Sequence, residues 1–404
     1  MIDIRIPKYN YGDNSILLEV YRGKMYLNLL QIFTTILLKY IKPEKLTRKK
    51  KLNHTICDIM AKWFFSQYSY YDFNNDSFFF THNSNGDKNL YSMLKDYSNE
   101  LNSINLNIII SKLVEEYKKM LTIYNKYKNG DFYNNNKYNY KVSKKLIVKK
   151  RNNNNINFYK FNVKFYNKLN FSIKLENVLD NIILPIDEYN YIKTKFNGEC
   201  DMDEIIFIIL FRYQLLSSNN NQLAILPNVI DNMKNDYDLS CELFASGINS
   251  STDIYCSLYY DVEHYFGSIG SFFNCKIISG VYTFNPPYQV DIIERGINRL
   301  LYFLNETNKD LTFFITIPIW DNYGKSIMNN KTDIDYGDFK IINVIKKSKY
   351  MKKIKMISKE NFTYMDHNYH LFKNITIQHT YIIVLSNTNK NFDNIDNYNY
   401  NYNA

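Results

Sequence analysis

From about Phe158 onward, short apolar segments alternate with segments of helical periodicity. The clearest example is the almost wholly apolar run Leu311–Ile319, which follows the strongly amphipathic stretch Gln289–Asn305. A short apolar run without alternation is typical of a strand that is buried on both faces, and helices between such strands can cover both faces of one sheet. The pattern therefore predicts an α/β fold with a Rossmann-like sheet.

The other segments after residue 150 follow the same pattern. The predicted strands are Phe158–Tyr166, Leu239–Ala245, Ile254–Tyr260, Gly280–Phe284 and Ile375–Leu385, and the predicted helices are Asp203–Ser217 and Leu223–Tyr237. We assign residues 151–387 to one α/β domain. The final stretch, residues 388–404, is rich in Asn and Tyr and is predicted to be a disordered tail.

Residues 1–150 are predicted to form a mainly helical domain. Apolar residues recur at helical spacing in Met25–Tyr40, Leu52–Phe65 and Leu106–Tyr124. The stretch Asn125–Asn155 is rich in Asn, Lys and Tyr and has little apolar periodicity, so it is predicted to be a linker or a flexible insertion.

The composition bounds the class of protein. The chain has 404 residues, of which 45% are apolar and 17% aromatic, so a large core is expected and a wholly disordered chain is excluded. The net charge of +10 suits a polyanion such as nucleic acid. An equally weighted alternative is that the lysine excess reflects an A/T-rich genome. The basic runs Arg48–Lys51, Lys144–Arg151 and Lys346–Lys355 are candidates for phosphate contacts, and for each run a solvated surface is at least as good an explanation.

Cysteine usage and hydropathy narrow the class further. The five cysteines are scattered, without a Cys-x-x-Cys pair or a histidine at ligand spacing, so neither a metal site nor a disulfide framework is predicted. The N-terminus lacks the apolar core of a signal peptide, and the longest apolar stretches are too short or too mixed to span a bilayer. We expect a soluble, intracellular protein without a membrane partner, in the cytoplasm (in a virus factory if the source is a large DNA virus) or in the nucleus.

One four-residue motif, Asn285-Pro286-Pro287-Tyr288, lies between a predicted strand and a predicted helix. Ligands of open α/β sheets bind at the carboxyl ends of strands, so the motif stands where a site is expected. Consecutive prolines fix the backbone and remove two N–H donors, so the loop presents carbonyl acceptors. The alternative is a rigid turn in which Asn285 caps the following helix.

The motif suits the transfer of a group to an exocyclic adenine amine. Such an amine is a poor nucleophile, because its lone pair is delocalised into the ring, and it needs acceptors for its two hydrogens. The Asn285 side-chain oxygen and the Pro286 carbonyl could accept them, and Tyr288 could stack on the purine. Catalysis would then rest on positioning and on local dipoles.

A second group of candidates precedes the motif and suits a sulfonium cofactor. A predicted strand ends in an acid, an aromatic residue and small polar or apolar residues, which let the backbone approach a ligand: Glu242, Phe244, Ala245, Ser246 and Asn249. Asp261 and Glu263 follow the next strand, where an acid could bind ribose hydroxyls, and Gly267 and Ser268 lie in a flexible polar loop. The alternatives are an ordinary turn with a buried phenylalanine and, for either acid taken singly, a solvated turn residue.

The run from Glu242 to Tyr288 resembles the family of the cap-specific adenosine methyltransferase, also known as the phosphorylated-CTD-interacting factor. The shared phrases are, in order, Phe244–Asn249 (FASGIN), Tyr255–Ser257 (YCS), Asp261–Gly270 (DVEHYFGSIG), Ser279-Gly280 and the Asn-Pro-Pro-Tyr motif. Phe314–Trp320 resembles a family strand that ends in Pro-x-Trp, and His379–Asn387 resembles the family's last strand. The resemblance extends in outline from Asp203 to Asn387.

The resemblance implies a Rossmann-like class I methyltransferase domain, preceded by a helical domain that helps to bind the capped RNA end. It implies S-adenosylmethionine as cofactor, no metal, and transfer to N6 of the first transcribed (2′-O-methyl)adenosine beside the 7-methylguanosine cap of mRNA. The four motif residues would be catalytic, and the loop residues from Glu242 to Ser268 named above would bind the cofactor. Trp320 is a candidate for the substrate site.

The sequence departs from the family in three places. Tyr288 stands where the family has Phe, and both side chains can stack on a base. Ile269 stands where some members have a basic residue. The only tryptophans are Trp63 and Trp320, so the family's WW domain is predicted to be missing, and docking on the polymerase tail by that route is not expected.

The sequence leaves two other functions open. The same chemistry could serve an internal RNA or DNA adenine, and unchanged activity on a substrate without a cap would favour that function. A chain of this fold could also be a non-catalytic nucleic-acid-binding subunit, which a failure to bind S-adenosylmethionine would indicate.

Overall fold

The computed structural model describes residues 2–3, 16–41, 52–70, 78–97, 103–129, 140–151, 154–165, 173–216, 222–319, 340–367 and 373–401. The chain forms two compact units, which we call the N-terminal unit (residues 7–219) and the C-terminal unit (residues 1–6 and 220–404). The boundary between the units lies near residue 220, whereas the sequence predicted a domain boundary near residue 150. The reason is that the segments just after residue 150 pack with the helices before them.

The N-terminal unit is mainly helical. Its helices are α1 (Ile16–Tyr40), α2 (Leu52–Tyr68), α3 (Asp87–Tyr97), α4 (Ser103–Asn129), α5 (Ile173–Leu179), α6 (Ile186–Lys195) and α7 (Met202–Leu215). Helix α1 packs against α4 and α7. The fully buried Glu19 of α1 forms ion pairs with Arg22 and with Arg212 of α7, so this buried carboxylate has cationic partners inside the unit. Among the described helices of the chain, none is long and apolar enough to cross a membrane.

Two long strands of the N-terminal unit form an antiparallel hairpin. They are β2 (Tyr140–Arg151) and β3 (Asn154–Phe165), and the short strand β4 (Ile183–Pro185) pairs with β3. The sequence predicted a linker or flexible insertion over Asn125–Asn155, which includes all of β2, and the structure corrects this. The alternation of the strand was hidden because lysines occupy both of its faces, including Lys144, whose Nζ donates to Asp203 Oδ1 over 2.8 Å.

The C-terminal unit contains a six-stranded, mostly parallel sheet. Its strands, from one edge to the other, are β11 (Met351–Ile357), β14 (Thr380–Ser386), β10 (Leu311–Pro318), β9 (Gly280–Phe284), β6 (Cys241–Glu242) and β7 (Ile254–Tyr255). Strand β14 is antiparallel to both of its neighbours, and the other pairings are parallel. The structure therefore confirms a mixed α/β fold that is compatible with a Rossmann-like sheet.

Separate apolar clusters cover the two faces of this sheet. Phe313 and Ile315 of β10 belong to the first cluster, together with side chains of α10 (Val290–Glu306) and α11 (Lys340–Lys347). Phe314, which points to the opposite face, belongs to the second cluster, together with side chains of α8 (Pro227–Tyr237). Strand β10 is thus buried on both faces, as its unbroken apolar sequence predicts.

The C-terminal stretch packs onto the second cluster. It contains a short 3₁₀ helix, Asp393–Asn397, and contributes four buried side chains: Phe392, Ile395, Tyr398 and Tyr400. The sequence predicted a disordered tail over residues 388–404, and the structure corrects this for the described residues up to 401. The polar composition between the four buried side chains concealed their spacing.

A second, three-stranded sheet consists of β5 (Leu223–Ile225), β12 (Tyr364–Asp366) and β13 (Lys373–Ile375). The sequence predicted one helix over residues 223–237. The structure has a strand first, and α8 begins only at Pro227, because proline suits the first helical position and would break a helix that began earlier. At the N-terminus of the chain, β1 (Ile2–Asp3) pairs with β8 (Lys276–Ile277).

Candidate active site

The order of the strands in the sheet reverses between β6 and β9. From β6 the chain continues outward to β7, then crosses back to β9 and goes on to β10. Glu242, the last residue of β6, is paired with Thr283 of β9, and Asn285 directly follows β9. Ligands of open α/β sheets bind outside the carboxyl ends of the strands at such a switch point. The loops after β6 and β9 therefore meet where a ligand site is expected.

The Asn-Pro-Pro-Tyr motif forms the turn from β9 into α10. The backbone N–H of Gln289 donates to the Pro287 carbonyl over 2.7 Å. Gln289 is the N-cap residue of α10, and its side chain makes no cap hydrogen bond. Asn285 lies well before this position, so the structure excludes the explanation that it caps the helix.

The Asn285 carboxamide is oriented by a residue that is distant in the sequence. Its Nδ2 donates to the backbone carbonyl of Leu223 over 3.1 Å. Because a carbonyl can only accept, this contact fixes which end of the amide is the nitrogen. The other end, Oδ1, is buried and accepts no hydrogen bond from the described residues. A buried acceptor without a donor costs about 1–3 kcal/mol, so Oδ1 is an acceptor that a ligand donor would satisfy.

Tyr288 packs beside Tyr364 at the second cluster. The two ring centroids are 6.0 Å apart and the rings are inclined at 70°, an edge-to-face contact. Burial raises the pKa of Tyr288 well above its usual value and raises the pKa of Tyr364 to about 12. The Tyr364 hydroxyl shares a 3.0 Å hydrogen bond with Thr380 Oγ1. Both phenols are therefore neutral at physiological pH, and Tyr288 is held from the side by a fixed neighbour.

Gln222, which the sequence analysis missed, connects the loop after β6 to the start of β5. Its Oε1 accepts from Ser246 Oγ at 2.9 Å and from Asn249 Nδ2 at 3.0 Å. Asn249 Oδ1 in turn accepts from the Ser246 backbone N–H at 2.7 Å. The next residue, Leu223, accepts from Asn285, so two consecutive residues hold both the loop and the motif. The sequence signal was only a glutamine before an apolar run, which is too common to single out.

Two buried glutamates brace the loops after β6 and β7 from within. Glu242 Oε2 accepts from the backbone N–H and the hydroxyl of Thr252, at 2.9 and 3.1 Å. Glu263 is fully buried, and its carboxylate accepts from the backbone N–H groups of Gly247 and Tyr259, at 2.7 and 3.0 Å. These oxygens are occupied, so in this structure the two acids position the loops.

Phe244, two residues beyond the end of β6, packs against the first cluster, and Ala245 follows it. The Phe244 ring lies 5.3 Å from the rings of both Phe272 and Phe284, measured between centroids. The Ala245 backbone N–H donates to the Cys256 carbonyl over 2.9 Å. The buried phenylalanine that the sequence offered as an alternative is therefore present, and it anchors the loop at the sheet edge.

Gly267 and Ser268 run alongside β7. Gly267 has a φ of +97°, and a Cβ atom at this position would lie 2.0 Å from the Asp253 carbonyl oxygen, so only glycine fits. Ser268 is 5% exposed, and its Oγ lies 2.6 Å from Ser257 Oγ, within hydrogen-bond distance. The two residues thus pack the backbone closely against β7. This is a structural role, and the sequence alone did not distinguish it from cofactor binding.

The remaining candidates are placed as follows. Asp261 lies on the short helix α9 (Tyr260–Glu263), after β7, and is 2% exposed. Trp320, the candidate for the substrate site, lies outside the described residues. Within the part of the chain that the structure describes, no group of three or more His, Cys, Asp or Glu side chains could hold a metal ion.

The fold and the site together define an α/β protein with a candidate ligand site at the switch point of a mostly parallel sheet. A family model described as "Phosphorylated CTD interacting factor 1 WW domain" matches residues 188–367, a range that contains both the loop after β6 and the motif. This match and the two curated relatives named below support a relationship of residues 188–367 to the phosphorylated-CTD-interacting-factor family.

Two curated relatives carry the name mRNA (2'-O-methyladenosine-N(6)-)-methyltransferase. The mouse (Mus musculus) and human (Homo sapiens) proteins are each 26% identical to this chain over 121 residues, which cover 28% of the chain and 17% of either relative. The match thus spans about a sixth of the length of these relatives. Protein Ycf2 of Physcomitrium patens is 27% identical over 332 residues, which cover 76% of the chain and 14% of that protein. Its name states no activity.

The family match corrects one expectation from the sequence. We expected the WW domain to be missing, and therefore no docking on the polymerase tail through it. That expectation is wrong, because the matching family model is described as the WW domain of the phosphorylated-CTD-interacting factor. The expectation rested on the two tryptophans of the chain, whereas the match rests on a range of residues of which Trp320 is only one.

Proposed function

We propose that this chain is an S-adenosylmethionine-dependent RNA methyltransferase that modifies N6 of the first transcribed (2′-O-methyl)adenosine next to an mRNA cap. The observation that carries the proposal is the state of the Asn285 carboxamide. Its donor end is used by the Leu223 carbonyl, and its acceptor end is buried and accepts no hydrogen bond from the described residues. An exocyclic amine is such a donor, and it lies on the edge of adenine that the reaction modifies.

The motif residues divide the work on the amine. Asn285 Oδ1 and the Pro286 carbonyl accept the two amine hydrogens, so the nitrogen turns its lone pair away from the ring and toward the methyl donor. Pro287 adds no N–H that would compete for these acceptors. Tyr288, held by Tyr364, stacks on the purine. Because Oδ1 is shielded from solvent, the base displaces the side chains that cover it and reacts in a dry site, where fixed dipoles act strongly.

The loop after β6 fits the cofactor. S-adenosylmethionine, when bound, supplies a methyl group on a positively charged sulfonium. Ala245 and Ser246 are small, so the backbone at the switch point can approach a ligand closely. Phe244 and Asn249 fix the two ends of this loop through the contacts described above. Asp261, in the segment after β7, is our candidate for the ribose hydroxyls.

The choice of a cap-adjacent adenosine rests on the family and on the names of the mouse and human relatives. The shared stretch covers only 17% of each relative, so the substrate in the relatives' names is proposed for this chain. The net charge of +10 suits an RNA substrate. The motif itself does not distinguish a cap-adjacent adenine from an internal one.

The test uses the full chain, labelled S-adenosylmethionine, and capped RNAs that begin with A or with G. We expect transfer to the A-initiated RNA only, and mass spectrometry of the capped 5′ dinucleotide should place the methyl group on N6. Asn285→Ala should reduce the rate by about 100-fold or more, which is the usual effect of removing one preorganised hydrogen-bonding group. The exposed Asn298 of α10 provides a matched control, and Asn298→Ala should keep the wild-type rate.

Three outcomes would count against the proposal. Absence of A-dependent transfer would sink the activity, and full activity of Asn285→Ala would sink the assigned mechanism. Equal activity on capped and uncapped RNA would move the substrate to an internal adenine. Calorimetry without binding of S-adenosylmethionine would point to a non-catalytic nucleic-acid-binding subunit.

A further inference from the structure

The hairpin of the N-terminal unit carries four lysines in two facing pairs. The register places Lys141 of β2 opposite Lys164 of β3, and Lys145 of β2 opposite Lys160 of β3. We call these residues the four-lysine patch. Residues that face each other across an antiparallel pair project from the same side of the sheet, and so do residues four positions apart on one strand. The four lysines therefore share one face of the hairpin.

The patch has defined dimensions. Facing residues lie about 5 Å apart across the strands, and positions four residues apart lie about 13 Å apart along a strand. Between the two lysine pairs, Ser143 of β2 faces Asn162 of β3 on the same side. A hydroxyl and a carboxamide, which are hydrogen-bonding groups, thus lie between the two pairs of lysine residues, and Asn162 Nδ2 donates to the Lys160 carbonyl over 3.3 Å.

This arrangement costs stability in the isolated hairpin. Like charges directly opposite each other on neighbouring strands are destabilising, and here two such pairs follow one another. Neither β2 nor β3 contains an Asp or Glu that could offset the charge. Lys141, Lys145 and Lys164 are exposed, and Lys160 is partly buried. Unfavourable pairings of this kind are typical of functional sites, so two of them on one exposed face indicate that the face binds a partner.

On the opposite face of the hairpin, a lysine has a structural role in attaching the hairpin to the helices. Lys144 donates to Asp203 Oδ1 over 2.8 Å, and its Nζ lies 4.4 Å from the centroid of the Tyr189 ring. This face attaches the hairpin to α6 and α7. The patch thus stands on a ribbon that is fixed from behind, which lowers the entropic cost of presenting the lysines together.

We propose that the four-lysine patch binds the sugar–phosphate backbone of single-stranded RNA, without regard to base sequence. This inference rests on the proposed function in taking RNA as the polyanion. Four lysines on one face of a hairpin, with Ser143 and Asn162 between them, suit a flexible chain of phosphates that can bind several donors at once. An anionic membrane fits less well, because the exposed apolar residues Leu146 and Val148, each 58% exposed, lie on the opposite face and could not insert while the lysines were in contact.

The experiment measures binding of an uncapped single-stranded RNA oligonucleotide to the full chain over a range of salt concentrations. For single strands, the slope of log K against log salt changes by about 0.7 for each phosphate contact. In the variant with Lys141→Gln, Lys145→Gln, Lys160→Gln and Lys164→Gln, we expect a slope shallower by up to about 3 and an affinity at low salt reduced by about tenfold or more. The same four positions changed to Arg should keep the wild-type slope, since the charges are retained.

A second quadruple variant separates the patch from net charge. Lys88→Gln, Lys95→Gln, Lys118→Gln and Lys126→Gln remove the same charge from exposed positions of α3 and α4 in the same unit. This control should keep most of the wild-type slope. Equal slopes in wild type and patch variant, equal losses in both quadruple variants, or lysine-dependent binding to phosphatidylserine vesicles without binding to RNA would each overturn the proposal.

The outcome is distinguishable from that of the methylation test. Asn285→Ala should leave the salt slope of RNA binding unchanged, because Asn285 belongs to the motif in the other unit. A chain that shows patch-dependent RNA binding but no methyl transfer would refute the proposed activity and leave this inference standing. If the wild-type chain methylates capped RNA, and the patch variant binds RNA with the wild-type salt dependence, the inference about the patch is refuted and the proposed activity stands.

Discussion

Asn285 Nδ2 donates to the backbone carbonyl of Leu223 over 3.1 Å, across 62 residues of sequence. The contact orients the carboxamide and leaves its buried oxygen as the acceptor at the end of β9. The preceding residue, Gln222, holds Ser246 and Asn249 of the neighbouring loop. One short segment therefore sets the geometry of both halves of the candidate site.

Asn285→Asp tests the orientation of the side chain, because Asp has nearly the same shape but cannot donate. A carboxylate oxygen would face the Leu223 carbonyl, so two acceptors would meet and the side chain would turn away. We expect methyl transfer to fall by about 100-fold or more and stability to fall by about 1–3 kcal/mol. Single-turnover rates and urea unfolding measure the two effects. Asn298→Asp on the exposed face of α10 is the control, and transfer by Asn285→Asp at the wild-type rate would contradict the assigned role.

Gln222→Leu tests whether the loop after β6 binds the cofactor. Gln222 is 4% exposed, so a leucine of similar size keeps the packing but leaves Ser246 Oγ and Asn249 Nδ2 without their shared acceptor. We expect S-adenosylmethionine to bind about tenfold more weakly, since each lost hydrogen bond contributes about 0.5–1.5 kcal/mol to the order of the loop. Gln222→Glu retains an acceptor and should bind more tightly than the leucine variant. Calorimetry measures both, and an unchanged affinity in Gln222→Leu would show that the loop does not hold the cofactor.

His367 predicts a pH dependence of stability in the C-terminal unit. Burial lowers the pKa of His367 to about 4, whereas an unfolded histidine titrates near 6.5. Between these pH values the unfolded chain binds a proton that the folded chain does not, so the free energy of unfolding falls as the pH falls from about 6.5 toward 4. The full contribution is about 3 kcal/mol and is present above pH 6.5.

The measurement is urea unfolding at pH 7, 6 and 5 for the wild type and for His367→Gln, which cannot titrate. The unfolding free energy of the wild type should fall relative to that of His367→Gln as the pH falls. The backbone hydrogen bond from His367 N–H to the Gln222 carbonyl, 3.0 Å long, is common to both proteins and cancels. A difference that is constant over this range would mean that His367 does not titrate as expected.

Removal of residues 391–404 should destabilise the C-terminal unit, although their composition is that of a flexible tail. The truncation deletes four side chains that are buried in the second cluster, Phe392, Ile395, Tyr398 and Tyr400. Each buried side chain of this size contributes about 1.5–3 kcal/mol, so the loss should lower the melting temperature by many degrees or prevent folding. Tyr400→Ala is the milder form, with an expected loss of about 3 kcal/mol. The exposed Lys390→Ala is the control, and a truncated chain with the wild-type melting temperature would show that the contacts contribute nothing.

The parts of the fold that the sequence predicted well are those whose signal is local. Gly280–Phe284 is a strand with the predicted bounds, and α10 begins one residue after its predicted start. Both signals come from the spacing of apolar residues within one segment. Strand β3 was predicted in outline as Phe158–Tyr166, whereas β2 and the C-terminal stretch escaped prediction. The described side chains of β2 are all exposed or partly buried, and the four buried side chains of the C-terminal stretch are separated by Asp and Asn, so neither segment shows a clear apolar periodicity.

In the candidate site too, local features were predictable from the sequence and contacts between distant residues were not. The sequence by itself determined the order strand, Asn-Pro-Pro-Tyr, helix, and the small residues after β6, because proline geometry and side-chain size act within a few residues. Only the tertiary structure decided that Leu223 orients Asn285, that Gln222 holds the loop, and that oxygens of Glu242 and Glu263 are occupied by backbone donors. These are hydrogen bonds between residues that folding brings together, and their geometry depends on the packing of separate elements, which no local pattern specifies.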